Sequence, residues 1–174
     1  KTGKTKIDNI QALINQPSID YQKSKMEKKE RKGAFLRMLR NTAILELFYA
    51  TGIRLSELVS LNINSFKVNE MLLKVKGKGD KERLIPFGRK AIDSISLYLN
   101  ERSLNWDSNG KRPIFCGWDE KRISKRLVQL ILKDYLSTIL RSIDIRDPKG
   151  TSPHTIRHTF ATHLLEADVD IRII

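Results

Sequence analysis

His154 and Arg157 stand three residues apart, a spacing that sets an imidazole and a guanidinium on the same face of a helix. Ser152-Pro153 reads as the start of that helix, with serine at the cap and proline at the first position. Ile156, Phe160 and Leu164 recur on the other side and suit a buried face. Near a helix N-terminus, where free N–H groups already favour an anion, a His and an Arg make a seat for a phosphate. Two other places could do similar chemistry. Arg54 follows the Thr51-Gly52 break and opens a short helix with Glu57 one turn later, and Lys78 sits in the turn Gly77-Lys78-Gly79-Asp80. Singly, each has an ordinary explanation. Arg54 and Glu57 could be a surface ion pair worth well under ~1 kcal/mol, and lysine is normal at a hairpin tip.

The histidines also raise metal binding, since His154 and His158 are four apart, as zinc ligands on a helix can be. Arg157 beside them, the lack of a Glu after His154 and the lack of a carboxylate-rich set nearby argue against it. His163 falls toward the apolar side, so no metal site is expected. Cys116 is the single cysteine, which excludes a disulfide framework; beside Phe115 and Trp118 it reads as core filler, and a reducing cytoplasm suits it.

These groups need a frame. Ile7, Ile10, Leu13 and Ile14 recur at helical spacing and Pro17 is expected to end that helix; Lys1 to Lys6 read as the tail of a linker. Lys23 to Lys32 is dense in charge, best explained as a solvated stretch. Phe35 to Tyr49 reads as a buried helix, Tyr49 included, stopped at Thr51-Gly52, and Arg54 to Leu61 starts another. Met71 to Val75 and Arg83 to Phe87 flank Gly77-Lys78-Gly79-Asp80, which signals a β-hairpin. Helices return at Ala91 to Arg102 and Ser124 to Ile143. The expected class is α+β, mainly helical with one small antiparallel sheet.

Lys and Arg outnumber Asp and Glu by 33 to 20 in 174 residues, a net +13 that favours a polyanionic partner, nucleic acid before an anionic membrane. No apolar run nears the roughly 18 residues needed to span a bilayer.

Three segments together form a pattern. Ala50-Thr51-Gly52-Ile53-Arg54-Leu55-Ser56-Glu57-Leu58 resembles the first arginine box of the tyrosine recombinases, the integrase and Xer-type enzymes. Gly77-Lys78-Gly79-Asp80-Lys81-Glu82-Arg83 with Ile85-Pro86 resembles their lysine-bearing hairpin, and Ser152 to Leu165 resembles their His-x-x-Arg box. The boxes stand in the family's order, and the resemblance runs from about Ile7 to Ile174. It implies cleavage of a DNA strand by a tyrosine, giving a 3′-phosphotyrosine and a free 5′-hydroxyl, with no ATP, metal or other cofactor. It assigns Arg54 and Arg157 to the phosphate oxygens, Lys78 to the leaving 5′-oxygen and His154 to acid–base or hydrogen-bonding work. Glu57 becomes a supporting residue, and Lys76, Lys81 and Arg83 become DNA contacts.

The implied partners are duplex DNA and further recombinase protomers, in a tetramer on paired sites, in the bacterial cytoplasm at the nucleoid. Residues 7–174 are then expected to be a catalytic domain truncated before its nucleophile and lacking the amino-terminal DNA-clamping domain. Tyr21, Tyr49, Tyr98 and Tyr135 all precede Arg157, so none is the family nucleophile and the fragment should bind DNA without cleaving it. The alternative is a non-catalytic DNA-binding module, a regulator or an excision accessory factor. It explains the charge but leaves Arg54, Lys78, His154 and Arg157 without a purpose.

Overall fold

The computed structural model describes residues 2–29, 33–77, 81–117 and 119–142, with side chains described from residue 11 to residue 135 of those ranges. Lys78 and the box holding His154 and Arg157 lie outside the described residues. Among the described residues five α-helices and three strands follow in the order α1 (Thr2–Met26), α2 (Ala34–Thr51), α3 (Leu55–Ser60), β1 (Phe66–Lys67), β2 (Leu72–Lys76), β3 (Glu82–Pro86), α4 (Arg89–Glu101) and α5 (Lys125–Ser142), with short 3-10 turns at Ile63–Ser65 and Val68–Glu70. The strands form one antiparallel sheet in the order β1-β2-β3. The architecture is the α+β, mainly helical one expected.

α2 is the spine, packed by α1 on one side and α4 on another. Ala43, Ile44 and Leu47 are wholly buried in it, and each large side chain so covered contributes roughly 1.5–3 kcal/mol. The helix stops where expected. Gly52 adopts φ 57°, a left-handed conformation that costs a glycine nothing, and its N–H closes on Phe48 O at 2.9 Å.

Two expectations fail here. Tyr49 is 57% exposed and does not join the core. Leu47 faces inward, and two residues further on the helix has turned through about 200°, which carries Tyr49 to solvent. Pro17 does not end α1 either; the helix runs through it, and from Thr2 it includes residues read as linker. An interior proline costs about 3 kcal/mol in an isolated helix. In α1 that cost is offset by packing on both sides of the break: Leu13, Ile14 and Pro17 are buried, and Tyr21 lies on Phe35 of α2 with ring centroids 5.5 Å apart.

The hairpin register pairs Leu73 with Ile85 and Val75 with Arg83. Leu73 and Val75 point into the core, while β3 is an exposed edge ending in Pro86, where a missing N–H does no harm. The loop after α4 folds inward with Ile114, Phe115 and Cys116 buried. Tyr98 stacks on Phe115, and its hydroxyl accepts the Cys116 N–H at 3.2 Å. Burial pushes the Cys116 thiol above its ordinary range, in keeping with a packing role. Among the described residues no helix is long and apolar enough to cross a membrane.

Candidate functional site

α3 and the hairpin meet around one carboxylate. Glu57 lies in the first turn of α3, where its Oε2 accepts the Arg54 backbone N–H at 2.8 Å and so closes the helix start. Leu55 and Leu58, buried on either side of it, turn this part of α3 inward, and Glu57 is only 3% exposed. A carboxylate buried that deeply must be paired. Its partner comes from β3, 26 residues along the chain: Arg83 Nη1 donates to Oε1 at 2.7 Å and Nη2 to Oε2 at 2.9 Å. This is the fork-on-fork geometry that makes arginine–carboxylate pairs strong and directional.

Arg54 is held differently. Its backbone is fixed at the helix cap, while its Nη1 stands 3.7 Å from Glu57 Oε1, attracted but beyond hydrogen-bond reach. Half of the side chain is exposed. It opens onto a groove of about 840 Å³ between α3 with the turn after it and the hairpin. The groove is lined also by serines and asparagines of α3 and its turn, by Lys74 and Lys76, and by the carboxylates of Glu57 and Glu82, each of which is paired with a cation. Hydroxyls, amides and lysines beside a poised guanidinium can receive an anionic chain with oxygens at intervals, which is what a phosphodiester backbone offers.

The hairpin stem forms the far wall. Gly77 N–H donates to Lys81 O at 2.9 Å, closing the strands before the tip. A Cβ at Gly77 would sit 3.4 Å from Arg83 Nη1 and 4.0 Å from Glu57 Oε1, so the ion pair lies directly under the turn. Lys74 pairs with Glu82 across the strands at 3.3 Å. The other end of α3 is fastened by Arg122, whose Nη1 donates to Val59 O at 2.9 Å and Leu61 O at 3.1 Å.

The structure therefore brings Arg54, Glu57 and Arg83 into contact and sets Lys76 on the same groove, with Lys81 exposed at the foot of the turn. Arg83 and Glu57 grip each other, a pairing that the spacing of Arg54 and Glu57 alone does not reveal. The serine and asparagine lining after α3 was missed in the sequence, where Ser-Leu-Asn-Ile-Asn-Ser carries no motif.

A short helix and a hairpin share one buried carboxylate, with a half-exposed arginine above a polar groove, on an α+β frame. The chain matches the family model described as Phage integrase family over residues 22–174. It is 42% identical over 139 residues to the tyrosine recombinase XerC of Thermodesulfovibrio yellowstonii, covering 78% of this chain and 44% of that protein. It is 39% identical over 137 residues to the tyrosine recombinase XerD of Lacticaseibacillus casei, covering 78% of this chain and 45% of that one. In fold it is similar to the crystal structure of XerA recombinase, with TM-score 0.58 and 24% identity over 95% of this chain and 52% of that one. It also resembles XerH recombinase bound to its difH substrate, with TM-score 0.54 and 23% identity over 94% of this chain and 43% of that one. The chain belongs to the phage integrase family, whose XerC and XerD relatives are tyrosine recombinases. It spans less than half the length of those curated relatives.

Proposed function

We propose that the full-length protein is a site-specific DNA recombinase that breaks and rejoins strands through a 3′-phosphotyrosine intermediate. One observation carries the proposal: Arg54, anchored through its backbone to buried Glu57, keeps a half-exposed guanidinium over a groove with lysines on its wall. In-line attack on a phosphodiester builds negative charge on the non-bridging oxygens, and fixed cations stabilise it without reorganisation. Arg54 and Arg157 take that role. Lys78 protonates the leaving 5′-oxygen, and His154 assists proton transfer or hydrogen-bonds a phosphate oxygen. Glu57 supports Arg54, while Lys76 and Lys81 contact backbone phosphates.

The bond energy is retained in the phosphotyrosine, so no nucleotide or metal cofactor is needed. Exchange between two duplexes breaks four strands, which calls for a tetramer of protomers on paired DNA sites in the bacterial cytoplasm. The alternative, a DNA-binding module without catalysis, gives Arg54 no reason to stand clear of its carboxylate.

The 174 residues alone are proposed to bind DNA without forming a covalent adduct. Tyr98 and Tyr135 are both engaged in packing and hydrogen bonds, Tyr21 packs on Phe35 with the rings tilted, and Tyr49 is exposed near the C-terminal end of α2. A nicked duplex that traps the intermediate tests both statements. The full-length chain should give a denaturation-resistant protein–DNA complex that is lost in Arg54→Ala. The 174 residues should give none, with DNA affinity that falls steeply as salt rises. Absence of the adduct from the full-length chain would overturn the enzymatic proposal.

A further inference from the structure

We infer that Arg83 is a positioning residue that occupies Glu57 so that Arg54 stays free for phosphate, and that it is not itself a DNA contact. The inference rests on the proposed role of Arg54 as a phosphate clamp. Glu57 is one buried negative charge between two guanidiniums. Its two oxygens could accept either fork, and both go to Arg83, at 2.7 and 2.9 Å. Arg54 is left at 3.7 Å, close enough to be steered and too far to be hydrogen-bonded to Glu57. The cluster carries two cations and one anion, so a positive charge remains, and it sits on the arginine that lines the groove. The Arg83 side chain is nearly as exposed, 43% against 49% for Arg54, but its fork is committed to Glu57 beneath Gly77 and does not line the groove, so hydrogen bonding and not burial separates the two arginines.

Without Arg83, a buried carboxylate would stand unpaired, and the nearest replacement is the Arg54 guanidinium on the same helix turn. Closing a gap from 3.7 Å to hydrogen-bond distance draws that guanidinium off the groove. Displacements of about 1 Å at a reacting centre cost up to about 10²-fold in rate. The fault of an Arg83 variant is therefore an over-attractive Glu57, and removing the charge of Glu57 should relieve it.

The test uses full-length recombinase and single-turnover cleavage of a nicked duplex, with affinity measured on the same duplex over a range of salt. Arg83→Ala should slow cleavage by roughly 10–100-fold. Affinity should stay within about two-fold and the salt slope should not change. Glu57→Gln retains an oxygen for the Arg54 N–H but carries no charge, so Glu57→Gln/Arg83→Ala should cleave faster than Arg83→Ala alone. Should Arg83→Ala fold poorly, Arg83→Lys serves: a single ammonium cannot hold both oxygens, so an intermediate loss that Glu57→Gln again relieves is expected.

A double variant no faster than its single Arg83 parent overturns the inference. So does a loss of affinity with a salt slope smaller by about 1, the mark of a phosphate contact. Arg54→Ala runs alongside. If it cleaves normally the clamp reading is wrong; if it fails while Arg83 behaves as a DNA contact, only the present inference is.

Discussion

Arg102 and Arg83 both reach inward to buried acceptors, and they do so to opposite ends. Arg102, at the close of α4, has a side chain only 2% exposed. Its Nη1 donates to Ile114 O at 2.8 Å and Pro113 O at 3.4 Å, its Nη2 lies 3.1 Å from Cys116 Sγ, and its guanidinium lies 5.4 Å from the Tyr98 ring centroid. Both of its terminal nitrogens are spent on the loop it pins, with Nη2 also 3.3 Å from Glu120 Oε2, while the buried Nε has no hydrogen-bond partner among the described residues. At the groove, the charges are divided: Arg83 satisfies Glu57, and Arg54 remains half exposed beside it. A guanidinium wrapped in carbonyls builds structure. One held by its backbone and merely steered by a neighbouring carboxylate is available to a ligand. Burial of the charge, more than its presence, separates the two regions.

The largest effect expected from this contrast belongs to the hairpin tip, in the full-length chain. If Lys78 is the general acid, Lys78→Ala should slow cleavage by about 10²–10⁴-fold, as loss of proton transfer does. A substrate with a 5′-bridging sulfur has a leaving group that needs no proton and should recover most of that rate. Lys81→Ala should cost little, and Arg54→Ala and Arg157→Ala should not be rescued by sulfur, because their work is charge stabilisation. Equal losses for Lys78 and Lys81 without sulfur rescue would reduce the hairpin to a DNA-contacting loop.

Arg102 should behave in the reverse way. Arg102→Ala strands buried carbonyls and opens space beside Tyr98, and should destabilise the fold by roughly 2–4 kcal/mol, or about 5–15 °C in Tm. Thermal unfolding checks this directly. Cleavage per folded molecule should be unchanged, and a large rate defect with normal Tm would break the distinction between the two regions.

What the sequence disclosed follows the same division between local and distant. The Gly52 stop, the cap at Arg54 and the hairpin strands depend on neighbours a few residues apart, and they were legible. So was the contact of Glu57 with Arg54, since the i,i+3 spacing is written in the chain. The pairing of Arg83 with Glu57 was not legible, because the two lie 26 residues apart and periodicity carries no information over that distance. The same holds for Arg40, expected nowhere, whose Nη1 donates to Cys116 O at 3.1 Å from the middle of α2. β1 was missed because two residues make no pattern. Pro17 misled for a physical reason: helix propensity is a small energy, and the packing of α1 on α2 exceeds it.

The smallest effect sharpens the comparison between carboxylates. Glu46, on α2, is as much a buried acid as Glu57, at 8% against 3% exposure. Glu57 has a bidentate guanidinium; the charge acting on Glu46 to favour ionisation is Lys90, and burial outweighs it, raising the Glu46 pKa above the ordinary 4.5. An acid whose pKa is raised on folding holds its proton more tightly in the folded chain than in the unfolded one. Stability therefore falls as pH climbs from about 4.5 through the folded pKa, and the loss is complete above it. Glu46→Gln is neutral at every pH and escapes that loss. It should raise Tm by roughly 1–3 °C at pH 7, with the gain fading as pH falls from the folded pKa toward the ordinary 4.5 and gone below it. Paired unfolding curves at neutral and acidic pH measure it. A Gln variant less stable than the parent at pH 7 would mean that Glu46 is better charged than neutral where it lies.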